Sequence, residues 1–215
     1  EVAENLQSRG IRTTVLDMLP HIMPGFDPEM AEFVEDHLAD QGIMTLLDTK
    51  LEGVEGDGTV EKVKTSRRAI KADALVLSLG IRANTAFLAD TGIELAPNRT
   101  VLVDDHMRTN DENIYALGDC SMITNRMTHA RAWSPMGSSA NIEGRIAAQN
   151  IAGADVSYPG VLGTGVVKLP GLNAGRTGLT EQVAKEAGHD VVSVVAVVDD
   201  KAHYYPDAAF FITKL

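Results

Sequence analysis

One cysteine, Cys120, stands in 215 residues, so the chain holds no internal disulfide. A lone thiol fits a reducing compartment, the cytoplasm. Basic residues are scarce as well: 19 Lys and Arg against 30 Asp and Glu leave a net charge of −11. Nucleic acid is bound through clustered cations and anionic membrane surfaces through basic segments, so neither is an expected partner. No apolar run approaches the roughly 18–20 residues that cross a bilayer, and no signal peptide opens the chain. An initiator Met is also missing, and the first residues already read as the body of a helix. The chain is therefore expected to be an internal stretch of a longer protein. Internal repeats and low-complexity linkers are absent. What remains is an ordinary globular balance, 44% hydrophobic and 23% charged, at a length for one large or two small domains.

Helix and strand signals are clear in places. Glu1–Gly10 reads as a helix stopped by Gly10, and Ile11–Leu16 as a buried strand ending at Asp17. Asp27-Pro28 starts a second helix, with Met30, Val34 and Leu38 at helical spacing and Gly42 as its stop. Residues 43–72 read as short antiparallel strands with a turn at Gly56-Asp57-Gly58. The continuous apolar run Ala74–Leu79 predicts a strand covered on both faces. Val101–Asp104 and Asn113–Ala116 are further strands, and a helix is expected from about Met136 to Ile151, closed by Gly153. In the last third, strands at Val166–Lys168, Val191–Val198 and Phe210–Ile212 flank a short helix at Glu181–Glu186, which suggests a small α+β sheet.

Four segments carry chemistry. In Thr109–Cys120 a strand enters a Gly118-Asp119 corner. Glycine admits a ligand close to the backbone, and the adjacent carboxylate can accept a hydrogen bond from a sugar hydroxyl. In Trp133–Asn141, Pro135, Met136, Gly137 and Ser138 open a helix whose free N–H groups suit a group gaining negative charge. Asp17 stands at a strand end, where its carboxylate can accept hydrogen bonds. Gly80 lies in Leu79-Gly-Ile-Arg-Ala-Asn-Thr85 at the end of the long apolar run. Gly163-Thr-Gly165-Val-Val-Lys168 begins like a phosphate loop, but Lys168 occupies the third glycine position. Cys120 has no partner thiol or obvious base and reads as a buried structural thiol. His21 and His129 lack ligand-spaced partners and read as surface residues, so no metal site is expected.

Thr109–Asp119 resembles T-x-x-x-x-I-Y-A-x-G-D of the FAD-dependent pyridine nucleotide–disulfide oxidoreductases. Glu1-x-Ala3 resembles the tail of that family's G-x-G-x-x-G-x-E-x-A, and Gly80–Thr85 its G-x-R-P-N-T, with Ala83 in place of Pro. The resemblance covers essentially the whole chain and is closest to the single-cysteine branch of coenzyme A disulfide reductases, NADH oxidases and NADH-dependent persulfide reductases. It implies an α/β fold: part of an NAD-binding domain (1–79), part of an FAD-binding domain (80–156), both Rossmann-like, then the start of an α+β dimerisation domain (157–215). FAD would be held by Gly118, Asp119, Pro135, Met136, Gly137 and Ser138, and NADH by Glu1, Asp17 and Gly80. Tyr204 and Tyr205, in a His-Tyr-Tyr-Pro segment, would meet a small thiol, disulfide or polysulfide substrate across a homodimer. The redox cysteine is implied upstream of Glu1, so no catalytic residue is expected in this chain. An NADH-dependent reductase of a protein carrier such as rubredoxin, or a dimerisation module alone, are the alternatives.

Overall fold

The computed structural model describes residues 1–215. In chain order the elements are α1 (Val2–Gln7), β1 (Thr14–Leu16), α2 (Pro28–Asp40), β2 (Met44–Leu46), β3 (Leu51–Glu55), β4 (Lys62–Thr65), β5 (Ala69–Lys71), β6 (Val101–Leu102), β7 (Ser121–Thr124), β8 (Arg131–Ala132), α3 (Gly137–Ile151), β9 (Gly165–Leu169), β10 (Leu172–Arg176), α4 (Glu181–Glu186), β11 (Val195–Asp199) and β12 (Phe210–Lys214). Two compact units divide the chain. The first comprises Glu1–Leu75, Val166–Ala174 and Leu179–Leu215, and the second Val76–Gly165 and Gly175–Gly178.

In the first unit β1 and β2 pair in parallel, Thr14 with Met44 through Leu16 with Leu46, and α2 is the crossover between them. Ala31, Val34 and Leu38 form the buried stripe of α2. Asp27 is its N-cap residue and Pro28 its first residue. At the other end the Gly42 N–H donates to Ala39 O (2.8 Å) and the Ile43 N–H to Leu38 O (2.9 Å). That closure needs a left-handed residue, and Gly42 supplies it at φ 76°. Next follows the antiparallel meander β3–β4–β5. The β9–β10 pair turns through Pro170-Gly171, and β11 pairs antiparallel with β12, Val195 opposite Lys214.

Charge organises the rest of this unit. Lys214 on β12 is almost buried, and its Nζ faces Asp27 (3.3 Å), Glu181 (2.7 Å) and Glu29. Asp27 does not cap α2 with its side chain; its Oδ2 instead accepts the Glu181 N–H at the start of α4. Burial pushes the Lys214 ammonium down, but hydrogen bonds to these three carboxylates outweigh it and hold the pKa above the usual lysine value. Hydrogen bonds from Lys185, Lys214 and Ser193 pull Glu181 down to about 2. Glu4 on α1 is also buried, which raises its pKa; His37 Nε2, which meets Pro170 O at 2.8 Å, lies 3.9 Å from it.

The second unit is built on β6–β7–β8, with β6 parallel and β8 antiparallel to β7. Its core is Val101, Val103, Met107, Ile123, Ile146, Ala147, Tyr158 and Val161. Helix α3 turns Ser139, Glu143, Ile146, Ala147 and Asn150 inward. Asn150 is fully satisfied there: its Nδ2 donates to His106 O and Val156 O, and its Oδ1 accepts the Val156 N–H.

The structure departs from the sequence reading at several points. Ala74–Leu79 forms no ladder, and Val76, Leu77 and Leu79 are exposed. A parallel strand is stabilised by neighbours on both edges, and no strand within residues 1–215 pairs with this run. Residues 44–46 are parallel to β1, because α2 is a crossover rather than a separate element. Asn113–Ala116 reduces to one bridge, Tyr115 with Arg108. The strand expected over Val191–Val198 begins only at Val195. Leu172–Arg176 was not foreseen as a strand, although Pro170-Gly171 is a turn signal.

The Lys214 cluster has a measurable acid signature. Glu181 titrates below its ordinary 4.5, so its contribution to stability is complete above that pH and is lost as pH falls from 4.5 towards 2. Lys214→Met should lower unfolding free energy at neutral pH by about 2 kcal/mol, between the values for exposed and buried ion pairs. It should also flatten the acid dependence in that window. Urea titrations at several pH values from neutral to acid check both.

Candidate functional site

In the second unit, extended Leu117 leads into Gly118 at φ 75°, and Gly118–Cys120 makes one 3-10 turn before β7. Four contacts fix this corner. Glu143 Oε2 accepts the Gly118 N–H at 2.6 Å and lies 3.0 Å from Ser121 Oγ. Ser121 Oγ is also 2.9 Å from Gly118 O. Trp133 Nε1 donates to Asp119 O at 2.9 Å. With its backbone so held, the Asp119 side chain is exposed and enters no ion pair. Burial raises the Glu143 pKa, against the hydrogen bonds from Gly118 and Ser121 that would lower it.

The same corner packs on the first turns of α3. A Cβ on Gly118 would stand 3.4 Å from Ala140 Cβ, and one on Gly144 would stand 3.8 Å from Leu117 Cδ1. Met136 is the N-cap residue and offers no side-chain cap, so the leading N–H groups of α3 are not satisfied by a capping side chain. Pro135 is half-buried, while Met136, Gly137 and Ser138 are exposed. Ser139 faces inward, its Oγ 2.8 Å from Ser134 Oγ. The fold therefore brings together Gly118, Asp119 and Pro135–Ser138. Gly80 belongs to the same unit, on the exposed extended run, with φ 87°.

The remaining predicted residues lie in the first unit. Asp17 follows β1 and is half-buried; its Oδ1 accepts the Leu19 N–H at 2.9 Å. Glu1 is the exposed N-cap residue of α1. Tyr204 and Tyr205 are exposed, at 75% and 56%, and stacked with ring centroids 5.1 Å apart. Two sequence readings are corrected. Cys120 is half-buried rather than buried, in the 3-10 turn at the corner, with Sγ 3.4 Å from Leu117 O. His21 is half-buried, its Nδ1 3.3 Å from Glu35 Oε1. Sequence reasoning missed Glu143, though its place four residues after Ser139 and three before Ile146 puts it on the inward stripe of α3. Asp104, Asp105 and His106 also cluster, but both His106 ring nitrogens are taken, by Asp105 (2.7 Å) and Asp155 (2.8 Å).

Residues 1–137 match the family described as pyridine nucleotide-disulphide oxidoreductase. The chain belongs to that family. It is 34% identical over 207 residues to the NAD(P)H sulfur oxidoreductase (CoA-dependent) of Pyrococcus furiosus, covering 96% of this chain and 47% of that protein. With the NADH oxidase of Methanocaldococcus jannaschii identity is 33%, over 96% of this chain and 46% of that protein. A NAD-dependent persulfide reductase from A. fulgidus matches with a TM-score of 0.93 and 35% identity, over 99% of this chain and 40% of that one. The chain spans about half the length of the curated relatives it matches.

The residues of this pyridine nucleotide-disulphide oxidoreductase chain fit one part of a flavin. An exposed carboxylate beside a backbone bend suits a polyol hydroxyl, and a helix start without a side-chain cap suits a ring system that gains negative charge. The bend itself is sensitive. Gly118→Ala would force a side chain into the left-handed region at φ 75° and against Ala140, costing about 1–2 kcal/mol. A fall in thermal midpoint with an unchanged far-ultraviolet spectrum checks this.

Proposed function

We propose that the whole protein is an FAD-dependent oxidoreductase that passes electrons from NADH to a disulfide, persulfide or polysulfide, or to oxygen. The observation that carries this reading is the Gly118–Asp119 corner: an exposed, unpaired carboxylate held from behind and packed on the uncapped start of α3. Residues 1–79 would belong to the NAD-binding part, 80–156 to the FAD-binding part and 157–215 to the dimerisation part. When bound, FAD supplies the two-electron chemistry between NADH and the acceptor.

Each proposed residue has a positioning task. Asp119 would accept a hydrogen bond from the flavin's sugar-alcohol chain. The N–H groups at Gly137 and Ser138 would stabilise the negative charge that a flavin gains on reduction. Asp17 keeps Oδ2 for a ribose hydroxyl while Oδ1 is occupied by the Leu19 N–H, and its charge disfavours a 2′-phosphate. The exposed Tyr204–Tyr205 stack supports a site for a small sulfur substrate, and the exposed valines and phenylalanines of β11 and β12 support a homodimer. The relatives act, by name, on sulfur with coenzyme A dependence, on persulfide, or as NADH oxidases. No helix is long and apolar enough to cross a membrane. The lone cysteine supports a cytoplasmic setting.

Anaerobic NADH should bleach the yellow whole protein, and coenzyme A disulfide or polysulfide should restore its colour faster than oxygen. Asp119→Ala should weaken flavin binding by about tenfold or more, measured by fluorescence titration. A whole protein that binds no flavin would end this reading. Asp17→Ala should reduce the preference for NADH over NADPH by about tenfold, read as the ratio of kcat/KM values.

A further inference from the structure

Glu143 is fully buried, with 0% of its surface exposed, on a helix face that also turns Ser139, Ile146, Ala147 and Asn150 inward. A carboxylate in such a place needs a cation or a full set of donors. No Lys, Arg or His forms an ion pair with it, and Oε1 is buried without any partner. The titratable groups facing it are Asp119, whose charge disfavours a second anion, and Tyr158.

Hydrogen accounting around Oε2 adds a second constraint. The Ser121 hydroxyl has one proton, yet Oγ lies within bonding distance of both Gly118 O (2.9 Å) and Glu143 Oε2 (3.0 Å). A carboxylate and the carbonyl would compete for that single proton. Both contacts are satisfied together when Oε2 carries the proton: Glu143 donates to Ser121 Oγ, Ser121 donates to Gly118 O, and Oε2 still accepts the Gly118 N–H. Oε1 is then a neutral carbonyl oxygen, which tolerates isolation far better than an anion.

We propose that Glu143 is a neutral acid and a positioning residue for the flavin, its proton closing a hydrogen-bond circuit through Ser121 that fixes the Gly118–Asp119 corner. This rests on the flavin reading above. The circuit grips the Gly118 peptide on both its N–H and its C=O, so the direction in which Asp119 leaves the chain is set from inside the core. Burial acts in the same direction, raising the Glu143 pKa.

The test uses the whole protein. Infrared difference spectra between wild type and Glu143→Gln at neutral pH should show the C=O stretch of one protonated carboxyl group, and Ser121→Ala should shift that band. Flavin titration should find Glu143→Gln, whose amide oxygen still accepts the Gly118 N–H but carries no proton for Ser121, weakened only about threefold. Glu143→Ala should be weakened by about thirtyfold. Ser121→Ala, which keeps the helix intact, should fall between them and serves if Glu143→Ala does not fold. Absence of the protonated-carboxyl band, or flavin affinity unchanged in both Glu143→Ala and Ser121→Ala, would overturn the proposal and leave the functional reading standing. Wild type that binds no flavin overturns the functional reading and the flavin role with it, while the infrared band still decides where the proton is.

Discussion

A buried carboxyl group on one helix holds the bend on which the second unit's candidate site depends. Glu143 meets the Gly118 N–H at 2.6 Å, and everything that makes the corner usable follows from that grip. Gly118 keeps its left-handed backbone, Gly118 and Leu117 lie against Ala140 and Gly144 of the helix, and Asp119 is left facing solvent. Asn150, seven residues further along the same stripe, does comparable work for the segment beyond α3, but with every polar atom paired. The two residues show different uses of buried polarity. One ties down the segment after its helix with every polar atom paired, and the other leaves an oxygen bare while holding the Gly118 turn.

The first unit solves a different problem with the same chemistry. A chain with 30 acidic residues has more carboxylates than cations to meet them, so a single lysine serves several. Lys214 gathers the leading acidic residues of α2 and α4, where each helix start already favours negative charge. Asp27 shows the consequence at the level of one side chain. It stands where a capping residue should stand, but its oxygen goes to the neighbouring helix instead.

Local signals in the sequence were read well where one element contains its own instructions. Asp27-Pro28 and Gly42 bracket α2, Gly153 follows α3, and Glu181–Glu186 is α4 at both ends. Reading failed where an element is a relation between distant segments. Ala74–Leu79 has the composition of a covered strand, but a strand exists only beside a partner. Met44–Leu46 looked like part of a meander until the crossover through α2 set its direction. At the site, Gly118-Asp119 and the helix start near Met136 were legible because glycine, a carboxylate and a helix terminus each advertise their chemistry. Glu143 was not, since a glutamate on a helix is ordinarily read as surface, and only its phase relative to Ile146 and Ala147 places it inside.

The β11–β12 pair presents Val195, Val197, Val198, Phe210 and Phe211 to solvent. Colloidal behaviour follows from setting that face against the net charge of −11. In dilute buffer, like charge keeps copies apart over about 30 Å at 0.01 M ionic strength. In molar salt the screening distance shrinks to about 3 Å, and the apolar strands meet without that barrier. Any self-association through this hairpin would therefore strengthen with salt, the reverse of a contact held by ion pairs.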